Sequence, residues 1–140
     1  MNKKQYLKWA LLVLIIGIGG VGGYWYYSSI AIWGTSDNGM WKANYKKNSD
    51  ETVGGWIGHI EQKSGGKVEI KEVIFTDNGK ILVNDKEFIE ERMEDGSVTK
   101  LDPFSTDIYL GDPPKKDHVY KLHITWEKKD HSQTDTFHLK

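Results

Sequence analysis

The sequence predicts an all-β domain, an immunoglobulin-like sandwich of seven to nine short strands, preceded by one transmembrane helix. Three observations lead to this prediction. An uncharged apolar run lies near the N-terminus, short runs of β-branched and aromatic residues divided by turn signals follow position 30, and apolar and polar residues alternate near the C-terminus. A chain of 140 residues has room for one such domain. A small open barrel is the alternative arrangement of the same strands.

The N-terminal run predicts a membrane anchor. No charged residue lies between Trp9 and Ser36, and roughly 20 apolar residues in a helix cross a hydrocarbon layer of about 30 Å. Four aromatic residues at 24–27 are typical of the membrane interface, and the early lysines favour a cytoplasmic N-terminus. The predicted parts are a cytoplasmic start over 1–8, a transmembrane helix over 9–29 that contacts the membrane from Trp9 to Tyr27, and an extracytoplasmic domain over 30–140.

The predicted localisation is therefore the plasma membrane, with a single pass and the C-terminal domain outside the cytoplasm. The alternative is a secreted protein that is cleaved near Ala31, since signal peptides also begin with lysines and an apolar stretch. Ser29-Ile30-Ala31 is a small-x-small site, but the residues before it are bulky aromatics. The apolar run also exceeds the usual 7–15 residues of a signal peptide, which favours retention as an anchor.

The same run contains a false nucleotide-binding motif. Residues 17–22 match G-x-G-x-x-G, and Asp37 follows about 20 residues later. A dinucleotide site needs those glycines at the start of a helix within a βαβ unit, whereas here an aromatic cluster and short β-like runs follow. The glycines are better explained as small residues of a membrane helix, and Gly19 and Gly23 have the spacing that lets two such helices pair.

Composition limits the classes of partner. After position 8 the chain has 16 basic and 20 acidic residues, so the exposed domain is mildly acidic and nucleic-acid binding is not predicted. The chain has no cysteine, which excludes disulfides, thiolate metal sites and a cysteine nucleophile. The domain must then be stable through its hydrophobic core, for which about 110 residues suffice.

Several segments of the exposed domain have predicted conformations. Asn78-Gly79 predicts a two-residue type I′ hairpin turn, because both residues tolerate positive φ. Residues 87–93 are compatible with one or two helical turns or with a strand. The stretch from 102 to 117, with its three prolines, predicts mostly loop around a short β-like run at Ile108-Tyr109-Leu110. The predicted core aromatics are Trp41, Trp56 and Trp126.

The C-terminal hairpin is the clearest predicted element. Apolar residues alternate with polar ones from Tyr120 to Trp126 and again near the end of the chain. A turn centred on Asp130-His131 would place Ile124 opposite Phe137, Leu122 opposite Leu139, and His123 opposite His138. A slip by one residue would place core residues against polar ones, so alternation supports this register.

One opening and two closing motifs carry a resemblance: Gly34-Thr-Ser-Asp-Asn-Gly-Met-Trp41-x-x-x-Tyr45, Ile124-Thr-Trp126 and Phe137-His-Leu139. With these motifs the chain resembles a group of small extracytoplasmic proteins and lipoproteins of Bacillus-type Firmicutes. The resemblance implies a signal or anchor segment followed by one β-sandwich. This chain lacks the lipobox cysteine of the lipoprotein members, which favours a helix anchor. The resemblance implies no catalytic residue.

Two constellations could bind a metal. His123 and His138 would lie on the outward face with Cβ atoms about 5 Å apart in the predicted register, but a transition metal ordinarily needs three or four ligands. His118 and His131 could add a ligand only if loops brought them close. Four acids recur every five residues in the loop, without the D-x-[DN]-x-[DN]-G calcium spacing: Asp102, Asp107, Asp112 and Asp117. Solvated side chains explain both sets better, so no metal and no cofactor are predicted.

The predicted function is a membrane-anchored, extracytoplasmic binding or interaction module without catalysis. Its partner would be an unknown protein or cell-envelope component, contacted through the exposed strand faces or the 102–117 loop. The sequence has no G-x-S-x-G or H-E-x-x-H motif. One alternative is a small envelope hydrolase or metal-dependent enzyme, which would need a cleft with a desolvated carboxylate or clustered histidines. Another is an accessory or immunity subunit of a membrane complex.

Overall fold

The computed structural model describes residues 2–88, 91–92, 98–99 and 103–140. The chain divides into two units, Met1–Ile30 and Ala31–Lys140. The first consists of a single helix, α1 (Lys3–Ile30). It contains the predicted transmembrane segment but begins at Lys3 rather than Trp9. The stretch Lys3–Tyr26 contains a run of 18 residues with a mean hydropathy of 1.7 and is long and apolar enough to cross a membrane.

The second unit is a β-sandwich, as predicted from the short alternating runs. The described residues form ten strands: β1 (Ile32–Thr35), β2 (Trp41–Lys47), β3 (Trp56–Gln62), β4 (Glu69–Asp77), β5 (Lys80–Asp85), β6 (Glu91–Arg92), β7 (Val98–Thr99), β8 (Ser105–Tyr109), β9 (Tyr120–Lys128) and β10 (His131–Leu139). Sheet A has the order β1-β2-β3-β8 and sheet B has the order β10-β9-β4-β5. All neighbours in both sheets are antiparallel.

The chain passes from sheet A to sheet B twice. β3 in sheet A is followed by β4 in sheet B, and the edge strand β8 in sheet A is followed by β9 in sheet B. Strands that are distant in sequence therefore pair, β3 with β8 and β4 with β9. β6 and β7 form a separate two-stranded hairpin. Of the segment 87–93, Glu91–Arg92 is thus strand, so the helical interpretation is wrong for these two residues; 89, 90 and 93 lie outside the described residues.

The core is dominated by aromatic rings packed edge to face. Tyr45 lies 5.4–6.2 Å, centroid to centroid, from the rings of Trp56, Phe75 and Tyr120, at steep interplanar angles. Such pairs add about 0.5–1.5 kcal/mol each beyond the area they bury. Burial raises the pKa of the Tyr45 hydroxyl far above its ordinary value, with Tyr120 and Asp112 contributing. This group donates a hydrogen bond to the carbonyl of Asp112, which fixes the segment after β8. Within the predicted 102–117 loop, Ser105–Tyr109 forms β8, so the strand begins earlier than the predicted run at 108–110.

Two of the three predicted core tryptophans are fully inside. Trp41 and Trp56 are buried, whereas Trp126 is half-buried. The Asn78-Gly79 turn has the predicted conformation, with φ of 48° and 83°, and it joins β4 to β5.

The predicted register of the C-terminal hairpin is wrong by two residues. The turn is Lys129-Asp130, with φ of 50° and 62°, and His131 is already paired with Lys128. Phe137 consequently lies opposite Leu122 and not Ile124. Because the shift is even, each side chain keeps its predicted face.

One edge of the sandwich is closed by contact between β1 and β10. Trp33 exchanges two backbone hydrogen bonds with Lys140, at 3.0 and 2.9 Å. At Gly34 a Cβ atom would lie 2.1 Å from the carbonyl oxygen of His138, so only glycine lets the two backbones approach this closely. The predicted sandwich is therefore joined along one side, which is a feature of the barrel alternative.

Candidate functional site

The outer face of sheet A brings together residues from four strands. Cross-strand neighbours in antiparallel strands point to the same side of a sheet. Trp33 is paired with Asn44, Asn44 with His59, and His59 with Asp107. Within β2, the neighbours Ala43 and Tyr45 are buried and Asn44 is not. The row that contains Asn44 therefore points away from the core. Tyr109, two residues beyond Asp107 on β8, points outward as well. We call these five residues the aromatic face.

Two aromatic rings of this face are exposed to solvent. Trp33 is 59 % exposed and Tyr109 is 61 % exposed, although both lie on strands with fixed backbones. The hydroxyl end of Tyr109 lies beside the backbones of Gly55 and Gly111, where an added Cβ atom would be 2.8 Å and 3.9 Å from the hydroxyl oxygen. The two glycines therefore leave room for the ring. Exposed aromatic rings held by a rigid scaffold are typical of recognition surfaces.

The middle of the aromatic face is polar. Nδ1 of His59 lies 2.6 Å from Oδ1 of Asp107, an interaction that joins β3 to β8. The His59 side chain is 27 % exposed and that of Asp107 is 60 % exposed. Together with the amide of Asn44, which donates and accepts hydrogen bonds, they present both kinds of hydrogen-bonding group to solvent.

A His–Asp pair also occurs in hydrolase triads, where a hydroxyl or thiol completes the set. Here the cross-strand neighbour of His59 on the side away from Asp107 is Asn44, which is no nucleophile. The pair also lies on an open sheet face with a largely exposed carboxylate. General acid–base groups are instead typically tuned by burial in a cleft. The arrangement suits binding better than catalysis.

A second cluster of the same residue types lies partly buried at the margin of the sandwich core. Oδ2 of Asp135 accepts hydrogen bonds from Nε1 of Trp41 (2.9 Å), Nε1 of Trp126 (2.8 Å) and Nδ2 of Asn38 (3.1 Å). Asp135 is paired with Ile124 of the core and so faces inward. We call these four residues the Asp135 cluster. It satisfies the indole N–H of the fully buried Trp41 and joins β2 to β10, which is a structural role.

The sequence motif that carries the resemblance is explained by this cluster. The turn between β1 and β2 is closed by the Ser36 hydroxyl, which bonds Oδ1 of Asn38 at 2.6 Å and accepts the Trp41 backbone N–H at 3.0 Å. Gly34 permits the contact with β10, and Trp41 reaches Asp135. These residues close the sandwich and form no catalytic arrangement.

His123 and His138 do not lie opposite each other across the C-terminal hairpin. His123 lies opposite Thr136, and its Nδ1 is 2.8 Å from the Thr136 hydroxyl, while His138 lies opposite Lys121. Partial burial lowers the pKa of His123, and Lys121 adds to the effect. The predicted pairing of His123 with His138, on which their candidacy as metal ligands depended, is therefore wrong.

His138 instead shares a recess with His118. The recess has a volume of about 280 Å³ and is lined by His118, Val119, His138, Leu139 and Lys140. Nδ1 of His118 already contacts Asp77 at 2.6 Å. Within the described ranges no group of three or more His, Asp or Glu side chains is arranged to hold a metal ion. Four acids between 102 and 117 were considered as calcium ligands. Asp107 lies on β8 and contacts His59, and Asp102 lies outside the described residues.

The comparisons with known proteins identify no relative. No protein family model matches the chain, and it has no significant match among curated proteins or solved structures. The resemblance to small extracytoplasmic proteins of Bacillus-type Firmicutes stays a prediction.

Proposed function

We propose that this protein is a membrane-anchored binding module that contacts an extracytoplasmic ligand through the aromatic face and catalyses no reaction. The observation that carries the proposal is the row from Trp33 to Asp107, flanked by Tyr109, in which two largely exposed rings border ordered polar groups. The strands hold these side chains in place before a ligand arrives, which lowers the entropic cost of binding.

The anchor in this proposal is α1. Its central apolar side chains are open; those of Leu11–Ile16 are each more than half exposed. Burial of apolar surface contributes about 25 cal/mol per Å², so insertion into a bilayer would strongly stabilise such a helix. The lysines at its start favour a cytoplasmic N-terminus and a domain outside.

Orientation and retention can be tested in one experiment. Intact cells that express the chain with an N-terminal epitope tag are treated with protease. The proposal predicts that the domain is degraded and that a membrane-bound fragment with the tag is retained. A full-length protected chain would contradict the orientation, and recovery of an untagged domain in the medium, beginning near Ala31, would show cleavage and secretion instead.

We also propose that the domain is immunoglobulin-like in topology. In immunoglobulin domains the inner strands B and E pair in one sheet and C and F in the other. The pairs β3–β8 and β4–β9 are related in the same way, because β3 leads to β4 and β8 leads to β9. Backbone nuclear Overhauser effects between β3 and β8 are expected, and pairing of β8 with any other strand would contradict the assignment.

Binding through the aromatic face is tested by sedimentation with insoluble wall material from a Bacillus-type bacterium, the source that the resemblance implies. The full chain in detergent micelles is expected to sediment with the wall, and the double variant Trp33→Ala/Tyr109→Ala is expected to bind at least tenfold more weakly, because truncation of an aromatic contact residue commonly costs more than about 1 kcal/mol. The matched control, Thr125→Ala/Thr134→Ala, changes the outer face of sheet B, where the two hydroxyls contact each other at 2.8 Å. The proposal would be contradicted if both double variants lost binding equally, or if neither lost binding.

A further inference from the structure

We propose that the ligand of the aromatic face is an uncharged glycan chain that lies across the strands of sheet A, an inference that rests on the proposed function. One face of a pyranose ring carries axial C–H groups, which are attracted to the negative face of an aromatic ring. Its hydroxyls need donors and acceptors beside that ring. The aromatic face offers both, with Trp33 and Tyr109 at its two ends and Asn44, His59 and Asp107 between them.

The spacing of the two rings suits an extended chain rather than a single sugar. Trp33 lies on β1 and Tyr109 on β8, with two strands between them. Adjacent strands are about 4.8 Å apart, and Tyr109 is two residues further along its strand than the row, so the two positions are roughly 16 Å apart. One monosaccharide can stack on one ring only. An oligosaccharide that reaches both rings gains the second contact at little further cost in translational entropy.

The charges around the rings favour a neutral ligand. The outward charged residues of sheet A are Lys42 and Lys46 of β2 against Glu61 of β3 and Asp107 of β8. Lys140, the backbone partner of Trp33, adds one positive charge at the β1 end, so the excess of basic residues is a single side chain. A polyanion such as a nucleic acid or a phosphate-rich polymer would be recognised by an excess of basic residues. The polar groups between the rings can instead exchange water for sugar hydroxyls without leaving a charge unpaired.

A protein partner is disfavoured by the same polar centre. Protein interfaces place apolar and aromatic residues at the centre and exclude charged ones to the rim. Here the order is reversed, because the rings lie at the ends and His59 contacts Asp107 in the middle at 2.6 Å. A flat protein surface would have to bury this pair away from water, which is costly.

The test compares wall material that has been treated in two ways. A glycosidase cuts the glycan chains of the wall into disaccharides and leaves peptide bonds intact, whereas protease does the reverse. Each product is added as a competitor to the full chain in micelles bound to untreated wall; protease-treated wall is expected to compete as well as untreated wall, and the glycosidase digest at least tenfold more weakly. Competition that survives the glycosidase but not protease, and still depends on Trp33 and Tyr109, would overturn the glycan inference and keep the proposed function. Binding that does not depend on the two rings would overturn both.

Conservative variants distinguish stacking from general apolar contact. Trp33→Phe and Tyr109→Phe keep a ring and are expected to bind within about threefold of the parent, whereas Trp33→Leu and Tyr109→Leu are expected to lose about tenfold each. Equal binding by the Leu and Phe variants would overturn stacking. Both positions are largely exposed, so unfolding midpoints near the parent value are expected for all four variants and show that they fold.

Length dependence provides a second readout with defined probes. Chitohexaose and cellohexaose are each titrated into the ¹⁵N-labelled full chain in micelles, beside N-acetylglucosamine and glucose. We expect saturable shifts of the amides of Trp33, Asn44, His59 and Tyr109 with at least one hexasaccharide, at least tenfold tighter than with its monosaccharide. Equal affinities for a hexasaccharide and its monosaccharide would overturn the proposed bridging of the two rings.

Discussion

The Asp135 cluster and the aromatic face are built from the same kinds of side chain and differ in burial. Both combine tryptophan with an aspartate and an asparagine. In the cluster the carboxylate accepts two indole N–H groups, and Trp41 is fully buried. On the aromatic face, Trp33 and Asp107 remain largely exposed. The comparison teaches that composition does not identify a binding site: the partly buried cluster joins strands around the fully buried Trp41, and the more exposed set is free to contact a ligand.

The largest effect is expected for Asp135→Ala. Removal of the carboxylate leaves the buried indole N–H of Trp41 without its acceptor, so the free energy of unfolding should fall by about 3 kcal/mol. The matched change on the aromatic face, Asp107→Ala, should cost less than about 1 kcal/mol because its partner His59 can bond to water. Urea unfolding of the full chain in micelles measures both. Similar losses for the two variants would contradict the distinction between the cluster and the face.

The next largest effect is expected for Gly34→Ala, which tests the closed edge beside Trp33. The added methyl group would meet the His138 carbonyl, and overpacking of this kind costs about 2 kcal/mol. Gly39→Ala is the control, since no atom lies within 4 Å of its Cβ position and only its φ of +70° opposes alanine; a cost of about 1 kcal/mol is expected there. If Gly39→Ala proved the more damaging, the β1–β10 contact would not be the constraint.

A smaller effect separates two tyrosine hydroxyls. Tyr45→Phe removes the donor to the Asp112 carbonyl inside the sandwich and should lower the free energy of unfolding by about 1 kcal/mol. Tyr109→Phe removes a hydroxyl from an exposed ring and should leave it nearly unchanged. Thermal unfolding of both variants provides the measurement, and a reversed order would show that the exposed hydroxyl supports the fold.

The smallest effect concerns pH. Partial burial and Lys121 lower the pKa of His123 in the folded protein, so the unfolded chain binds this proton more readily. The contribution of His123 to stability is therefore present above its unfolded pKa of about 6.5 and is lost as the pH falls below it. His123→Gln should make stability less dependent on pH between about 7 and 5. A steeper dependence in the variant would contradict the sign.

Alternation in the sequence predicted the sandwich and the faces of its strands, because period-two patterns define which side chains are buried. It did not determine which residues pair. The C-terminal hairpin shows the limit: any even shift preserves the faces, and the turn at Lys129-Asp130 has positive φ at two residues other than glycine. Positive φ at residues other than glycine is energetically unusual. The turn was therefore predicted one residue too late, at Asp130-His131.

The aromatic face escaped the sequence analysis because it depends on strand order. Asp107 and His59 are 48 residues apart in the chain. Between β3 and β8 the chain runs through β4 and β5 of sheet B, so the pairing of β3 with β8 is not local. The predicted exposed strand faces contained these residues without selecting them. The Asp135 cluster likewise spans 94 residues between Trp41 and Asp135. One signal in the sequence could have indicated the aromatic face. Trp33 lies in a short predicted strand beside Gly34 and was not among the predicted core aromatics, so its ring was expected to be exposed.

Hydroxyl-radical footprinting of the full chain, with and without bound wall material, tests the central claim most directly because it reports on both tryptophan environments at once. On binding, oxidation of Trp33 and Tyr109 should fall several-fold, Trp41 should stay unmodified in both states, and Leu82 of β5, which is exposed on sheet B, should be unchanged. Protection of Leu82 with continued oxidation of Trp33 and Tyr109 would contradict the account.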